Sequence, residues 1–415
     1  MIHQQADVIV IGGGPAGLAA AVSAKETGAK RVVIIERNTW LGGILPQCIH
    51  DGFGVEELGE SLTGPEYAER YISRATQLNI ETMTETMVLE FTKDLEIIAV
   101  NKKGIYLIQA GAIVLAMGCR EKTRWHALIP GTRPSGIYTA GVAQGLINLY
   151  NIMPGNNVVI LGSGDVGLIM ARRLTFEGAK VQGVIEILPY ASGLPRNVVQ
   201  CLDDYGIPLF LNHTVVEIGG HERLSHVLVA QVDEHRNMIP GTEKKIPCDT
   251  LLLSLGLIPE NELTAAVGIA LDPTTQGPVV NQDYETSLRG VYSCGNSLQV
   301  YDTVDVLASH AQKAGHCAAA FSQGRSNTFK FEKNVCAGKG VTYVVPQKIT
   351  TYGSIKLTLR AKKPGKKQQL HVKNGETLLF TKKLPYVNPA NMIQVTFSLA
   401  NTMHLSKKDI EVSLQ

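Results

Sequence analysis

An α/β fold that ends in a β-rich tail is the class this sequence predicts, on three observations. An apolar run, Val8-Ile9-Val10-Ile11, opens into Gly12-Gly13-Gly14-Pro15-Ala16-Gly17, glycines at the G-x-G-x-x-G spacing. The pattern returns at Val158-Val159-Ile160-Leu161, followed by Gly162-Ser163-Gly164-Asp165-Val166-Gly167. Beyond residue 330 both give way to short strand-like runs, 341–345, 354–359, 369–373, 377–380 and 392–399, with turn signals at Pro364-Gly365 and Asn374-Gly375. A length of 415 residues exceeds what one hydrophobic core usually serves, so two or three domains are expected. With 44% apolar and 18% charged residues the composition is that of an ordinary globular chain. No basic segment precedes the first apolar run, which is too short to span a bilayer, so neither signal peptide nor transmembrane helix is expected. Seven scattered cysteines, Cys48, Cys119, Cys201, Cys248, Cys294, Cys317 and Cys336, argue against a disulfide framework; no metal set is expected, and a reducing cytoplasm is the expected location.

In the first pattern a strand, a tight turn and a helix start follow one another. Gly12 supplies backbone freedom for the turn, Gly14 lets the main chain approach a pyrophosphate, and Gly17 lets the helix pack closely on the strand. The phosphates would sit on the free N–H groups of the helix N-terminus, beside Pro15 and Ala16. A second apolar run, Val32-Val33-Ile34-Ile35, ends in Glu36, about twenty residues beyond the glycines, where an acid accepts hydrogen bonds from ribose hydroxyls; Arg37 follows it. The bland alternative is a glycine-rich structural turn, but strand, glycines, helix and acid together complete a dinucleotide-binding unit. The second pattern repeats it, with a helix to Gly178 and a run ending in Glu186.

Over most of residues 6 to 325 the two units resemble the two nucleotide-binding folds of the flavoprotein disulfide reductase superfamily. The resemblance implies an FAD-dependent NAD(P)H oxidoreductase with FAD on the first unit and NAD(H) on the second. It also implies two Rossmann-like domains, one inserted in the other. The expected order is an FAD domain (1–122), an NAD(H) domain (123–250), the rest of the FAD domain (251–328) and a C-terminal β-sandwich-like domain (329–415). The piece 129–144, the Cys48-Ile49-His50 loop and the tail narrow the resemblance to a bacterial branch of flavoprotein subunits. Its members include the partner of glycerol-3-phosphate dehydrogenase and subunits of opine oxidase and hydrogen cyanide synthase.

The segment 37–54 is glycine-rich and lacks helix or strand periodicity, so it reads as a functional loop. In the superfamily Gly42 and Gly43 would run past the FAD pyrophosphate towards the flavin. Many members carry a cysteine pair just after; here Cys48 stands alone, so a dithiol relay is not supported. Cys48 as a single redox thiol and His50 as an acid or base are the catalytic candidates, against the reading that each is a packed loop residue. Thr63 and Glu66 fit a capping box for a helix over 63–78. Short strands over 86–116 are expected, from the resemblance, to form the small sheet that covers the flavin domain, and the passage ends in Gly118 where the chain leaves the FAD domain.

In the second unit a carboxylate at Glu186 would repel a 2′-phosphate, which favours NADH over NADPH; Arg196 keeps NADPH open. The pattern over 198–248 completes the nicotinamide domain, and 249–261, with Gly256, resembles the strand on which the chain re-enters the FAD domain. Later, Gly295-Asn296 stands where the family has Gly-Asp on the ribityl chain; an amide still hydrogen-bonds a hydroxyl. A helix over about 303–321 would aim its N-terminus, with Thr303, at the flavin. Asp302 and Asp305 are expected to cap it, and His310 and His316 to be packed or surface residues.

The stretch 331–415 holds 14 Lys+Arg and 4 Asp+Glu, leaving 39 − 14 = 25 basic against 37 − 4 = 33 acidic residues in the body. Such a basic tail could dock a partner dehydrogenase, a second copy or anionic lipid. Lysines that blunt exposed strand edges are the competing reading. No aromatic or recognition motif supports nucleic-acid binding.

Overall fold

The computed structural model describes residues 1–325, 331–400 and 405–415. The chain forms two compact units, Met1–Cys119 with Pro259–Gln415, and Arg120–Ile258.

The first unit opens with β1 (Ile2–Ile11), α1 (Pro15–Glu26) and β2 (Val32–Ile35). Val8, Ile9, Val10 and all of β2 are buried, as parallel strands covered on both faces require. The capping box of α2 (Gly64–Gln77) forms, with the Thr63 N–H donating to the Glu66 carboxylate at 2.8 Å. The strands β3 (Glu81–Met83), β4 (Met87–Phe91), β5 (Glu96–Asn101) and β6 (Gly104–Leu115) complete this part. The expected small sheet forms from β4, β5 and the first half of β6, and its Val88, Phe91, Ile97 and Ala99 share one core with Ile9, Ile11, Val33 and Ile35 of β1 and β2. With 12 residues β6 is long enough to pair parallel with β1 along its length and antiparallel with β5 over its first half. One sheet results, in the order β3-β2-β1-β6-β5-β4.

The second unit runs through β7 (Cys119–Glu121), α3 (Arg124–Ala127), β8 (Ile137–Thr139), α4 (Ala140–Tyr150), β9 (Asn157–Leu161), α5 (Asp165–Phe176) and β10 (Lys180–Glu186). It continues with α6 (Pro195–Cys201), β11 (Leu209–Leu211), β12 (His213–Gly220), β13 (Leu224–Gln231), β14 (Lys244–Pro247), β15 (Thr250–Leu253) and β16 (Leu257–Pro259). A five-stranded sheet, β11-β10-β9-β15-β8, is accompanied by the antiparallel β12-β13-β14. The boundary expected at 250/251 cuts through β15. That strand belongs to this unit because its wholly buried Thr-Leu-Leu-Leu fills the place between β9 and β8.

The first unit resumes with α7 (Glu262–Ala266), β17 (Val291–Ser293), which pairs with the end of β6, and α8 (Val304–Ser322). Helices α1 and α8 meet through alanines and one glycine: a Cβ on Gly315 would lie 2.0 Å from the Ala20 carbonyl oxygen. The boundary expected at 328/329 lies outside the described residues. The tail then supplies β18 (Lys333–Ala337), β19 (Val341–Val345), β20 (Lys348–Ile349), β21 (Gly353–Ala361), β22 (Gly365–Asn374), β23 (Thr377–Val387), β24 (Ile393–Leu399) and β25 (Ile410–Leu414). Two sheets, β20-β18-β25-β22-β23 and β19-β21-β24, close on a core that includes Leu357, Leu359, Leu370, Val372 and Val412. Among the described residues no helix is long and apolar enough to cross a membrane.

Candidate functional site

In the first glycine turn the three motif glycines have different reasons. Gly12 has φ +106°, and a Cβ there would lie 2.3 Å from the Ala116 carbonyl; a Cβ on Gly17 would lie 1.8 Å from the Gly12 carbonyl. Both are demanded by the protein itself. Gly14 is not: its φ of −75° and ψ of −174° suit any residue, and a Cβ would meet only the Gly43 Cα at 3.8 Å. At this N-cap position Ser, Thr, Asp or Asn would stabilise α1. Glycine instead leaves the first N–H groups open to an anion, while Pro15 occupies a place where its missing N–H costs nothing.

Glu36 closes the turn from the end of β2. It is 6% exposed, its Oε2 accepts the Gly13 N–H at 2.7 Å and its Oε1 the Asn38 N–H at 2.8 Å, leaving lone pairs for hydroxyl donors. Arg37 beside it is exposed. Gly42 and Gly43, both at positive φ, lie on the same turn: the Gly42 N–H donates to the Gly13 carbonyl at 2.8 Å, and a Cβ on Gly43 would meet the Gly14 Cα at 2.9 Å. Gly118 follows β6 at φ +74°. A Cβ on Gly295 would lie 2.6 Å from the Ala16 Cβ. Asn296 directs its amide nitrogen to the Cys119 sulfur at 3.5 Å, and its Oδ1 accepts the Tyr301 N–H at 3.1 Å. Thr303, the N-cap of α8, keeps a buried hydroxyl without a partner. A glycine-lined cradle, an uncapped helix and an orphaned hydroxyl fit FAD.

The expectation that Asp302 and Asp305 cap α8 is corrected. Asp302 pairs with Arg360 of β21, and Asp305 accepts the Glu56 and Glu57 N–H groups at 3.1 and 3.0 Å. The segment after His50 is thereby tied to α8. Glu57 adds to this by accepting Tyr67 and Tyr71 hydroxyls and the Gln312 amide.

Cys48 backs onto the start of α2: its carbonyl accepts the Gly64 N–H at 2.8 Å, and its Sγ lies 3.4 Å from the Ile44 carbonyl. Part of the residue is exposed, but the thiol is enclosed and burial pushes it up to about 12. It is a protonated thiol at neutral pH, which counts against a resting thiolate nucleophile. The His50 ring packs against Phe53, centroids 5.1 Å apart.

The second unit repeats the logic of the first. Gly162 has φ +95°, and a Cβ there would lie 2.1 Å from the Ser254 carbonyl; one on Gly167 would lie 2.7 Å from the Ser254 Cβ. Gly164, like Gly14, takes an ordinary conformation, φ −64° and ψ 158°. Glu186 is 3% exposed; its Oε2 accepts the Ser163 N–H at 3.0 Å and its Oε1 the Leu188 N–H at 2.9 Å, the counterparts of the two Glu36 bonds. Here the Ser163 and Ser192 hydroxyls also donate to it, partners that the glycine spacing does not reveal. Asp165 accepts the Leu194 N–H at 2.8 Å and the Asn197 amide at 2.6 Å, so it holds the following loop against the turn. Val166 and Arg196 are exposed, and Gly256 follows β15 at φ +92°.

A model of the pyridine nucleotide-disulphide oxidoreductase family matches residues 6–324. A subunit of the opine oxidase of Agrobacterium tumefaciens (strain Ach5) is 27% identical over 339 residues, 75% of this chain and 64% of that protein. The HcnB subunit of the hydrogen cyanide synthase of Pseudomonas protegens is 26% identical over 286 residues, 63% of this chain and 58% of that protein. The chain thus spans at most 64% of the length of these two relatives. Among solved structures, thioredoxin reductase of T. acidophilum matches with TM-score 0.62 at 23% identity, covering 78% of this chain and 100% of that one, a likeness of fold.

Proposed function

The chain belongs to the pyridine nucleotide-disulphide oxidoreductase family; from that premise we propose that it is an FAD-dependent oxidoreductase that passes a hydride between NAD(H) and the flavin. Its electrons go to, or come from, a partner dehydrogenase or a small acceptor. FAD, when bound, supplies the ring that takes or gives the hydride. The chain binds and orients. The α1 N-terminus, with Gly14, Pro15, Ala16 and Gly17, receives the pyrophosphate, and Glu36 the ribose. Gly42, Gly43, Gly295 and Asn296 border the rest, and Thr303 with the α8 N-terminus favours negative charge on the reduced ring. In the second unit Gly164 and Gly167 admit the nicotinamide nucleotide, and the Glu186 carboxylate accepts ribose hydroxyls while repelling a 2′-phosphate.

The observation that carries this reading is the pair Gly14 and Gly164. Neither backbone conformation requires glycine; a Cβ on Gly14 would meet only the Gly43 Cα at 3.8 Å, and one on Gly164 would press on a single side-chain atom, the Ser254 Oγ at 3.0 Å. Approach of a ligand to each turn explains both. The multi-subunit part of the proposal is supported by the two relatives, which are subunits of opine oxidase and of hydrogen cyanide synthase.

Valine at each position tests the two-site assignment. Gly14→Val is expected to purify without flavin. Gly164→Val is expected to stay yellow, with reduction by NADH slowed on the order of 100-fold. Wild-type reduction of the Gly164→Val flavin by NADH would overturn the assignment.

A further inference from the structure

The β-sandwich presents a polar row to the flavin-binding segment. Along β21 the residues Ile355, Leu357 and Leu359 point into the sandwich core, so Lys356, Thr358 and Arg360 alternate to the other face. There the Gln299 amide donates to the Thr358 hydroxyl at 2.9 Å, both residues 1% exposed. Arg360 reaches further. Its Nε donates to the Tyr343 hydroxyl at 3.0 Å, and its Nη1 to the Pro389 and Ala390 carbonyls at 3.0 and 2.7 Å. Its Nη2 donates to the Val300 carbonyl at 3.1 Å and to the Asp302 carboxylate. All five donors of the guanidinium are used. The side chains of Arg360 and Asp302 are 16% and 15% exposed, and the second Asp302 oxygen accepts the Met392 N–H.

Val300 and Asp302 flank Tyr301, whose N–H holds the Asn296 amide oxygen, and the next residue is Thr303 with its orphaned hydroxyl. We propose that Arg360 is a positioning residue for FAD: from the C-terminal domain it fixes the segment 299–303 and, through it, Asn296 and the N-terminus of α8. The proposal rests on the reading of the first unit as the FAD site. A fork with five donors bridges two sheet strands, a loop and this segment at once. Lysine, with three donors on one atom, cannot reproduce it. The C-terminal domain would therefore act on the cofactor site through the segment 299–303.

The test compares Arg360→Met, Arg360→Lys and Asp302→Asn with the control Lys348→Met, which removes an ion pair to Glu332 in the same domain, in the full-length protein. Three readouts are taken: amide hydrogen exchange over 296–304 in the FAD-free protein, the FAD dissociation constant, and the flavin midpoint potential. Arg360→Met and Asp302→Asn are expected to speed exchange in that segment, weaken FAD about tenfold and shift the potential. Arg360→Lys should recover part of each effect, and Lys348→Met none of them. Wild-type exchange, affinity and potential in Arg360→Lys and Asp302→Asn would overturn the proposal, even if Arg360→Met failed to fold. A wild-type protein that bound no FAD would sink the functional reading instead, while exchange in the FAD-free protein would still report on the clamp.

Discussion

At the scale of single residues, burial decides what titratable groups can do. Cys48 carries a thiol that burial holds protonated, so Cys48→Ser is expected to leave the rate of flavin reduction by NADH within about twofold of wild type, measured by stopped flow. A loss of tenfold or more, against the 1.36 kcal/mol that such a factor represents, would restore a direct role for the thiol. His310 is 2% exposed, with its Nδ1 against the Tyr301 hydroxyl at 2.9 Å, and is pushed from 6.5 down to about 3 by burial, then by Lys356 and Lys313. Between those values the unfolded chain takes up a proton that the folded chain refuses. Stability therefore falls as pH drops below 6.5, by up to about 1.4 kcal/mol per pH unit from this group. In urea unfolding at several pH values, His310→Gln should flatten that slope; an unchanged slope would assign it to other groups. The glycines, the terminal acids and the Thr63–Glu66 capping box were legible in the sequence because each is a local pattern with a local cause. The Ser163 and Ser192 hydroxyls on Glu186 and the Asp302–Arg360 pair were not. Their partners are brought together by tertiary structure, and an aspartate before a helix reads as a cap whatever lies opposite it.

At the scale of elements, α8 joins the pieces of the first unit. It packs on α1 through Gly315, holds the segment 56–57 through Asp305 and Gln312, and begins at Thr303. Leucine at 315 would drive a side chain into the Ala20 carbonyl. Gly315→Leu is expected to cost about 1–3 kcal/mol in urea unfolding and to weaken FAD retention with it. Unchanged stability would show that the two helices can separate without penalty. The run 341–345 coincides with β19, and the other expected runs of the tail lie in or overlap β21, β22, β23 and β24. Three strands were not anticipated, β18, β20 and β25. Each is short, at most five residues, and gains its place from pairing across the chain rather than from its own alternation.

At the scale of the molecule, the basic tail and acidic body seen in the sequence acquire a location. The edge strand β23 exposes Lys382 and Lys383, as lysines that discourage strand addition would. Facing residues 299–302, the same domain uses Arg360 and Thr358 instead. The fold class and the two nucleotide turns could be read because the motif repeats. The bonds of the tail to residues 299–302 could not, because they depend on which face of β21 meets which loop. The central claim is the proposal that NAD(H) exchanges a hydride with a flavin held by the first unit. The most direct measurement is an anaerobic titration of the purified, yellow protein with NADH and, separately, NADPH, following the flavin absorbance. The account predicts prompt bleaching by about one equivalent of NADH, with NADPH at least about tenfold less effective because of Glu186. A flavin that neither nucleotide bleaches would contradict it and leave a protein whose electrons arrive from elsewhere.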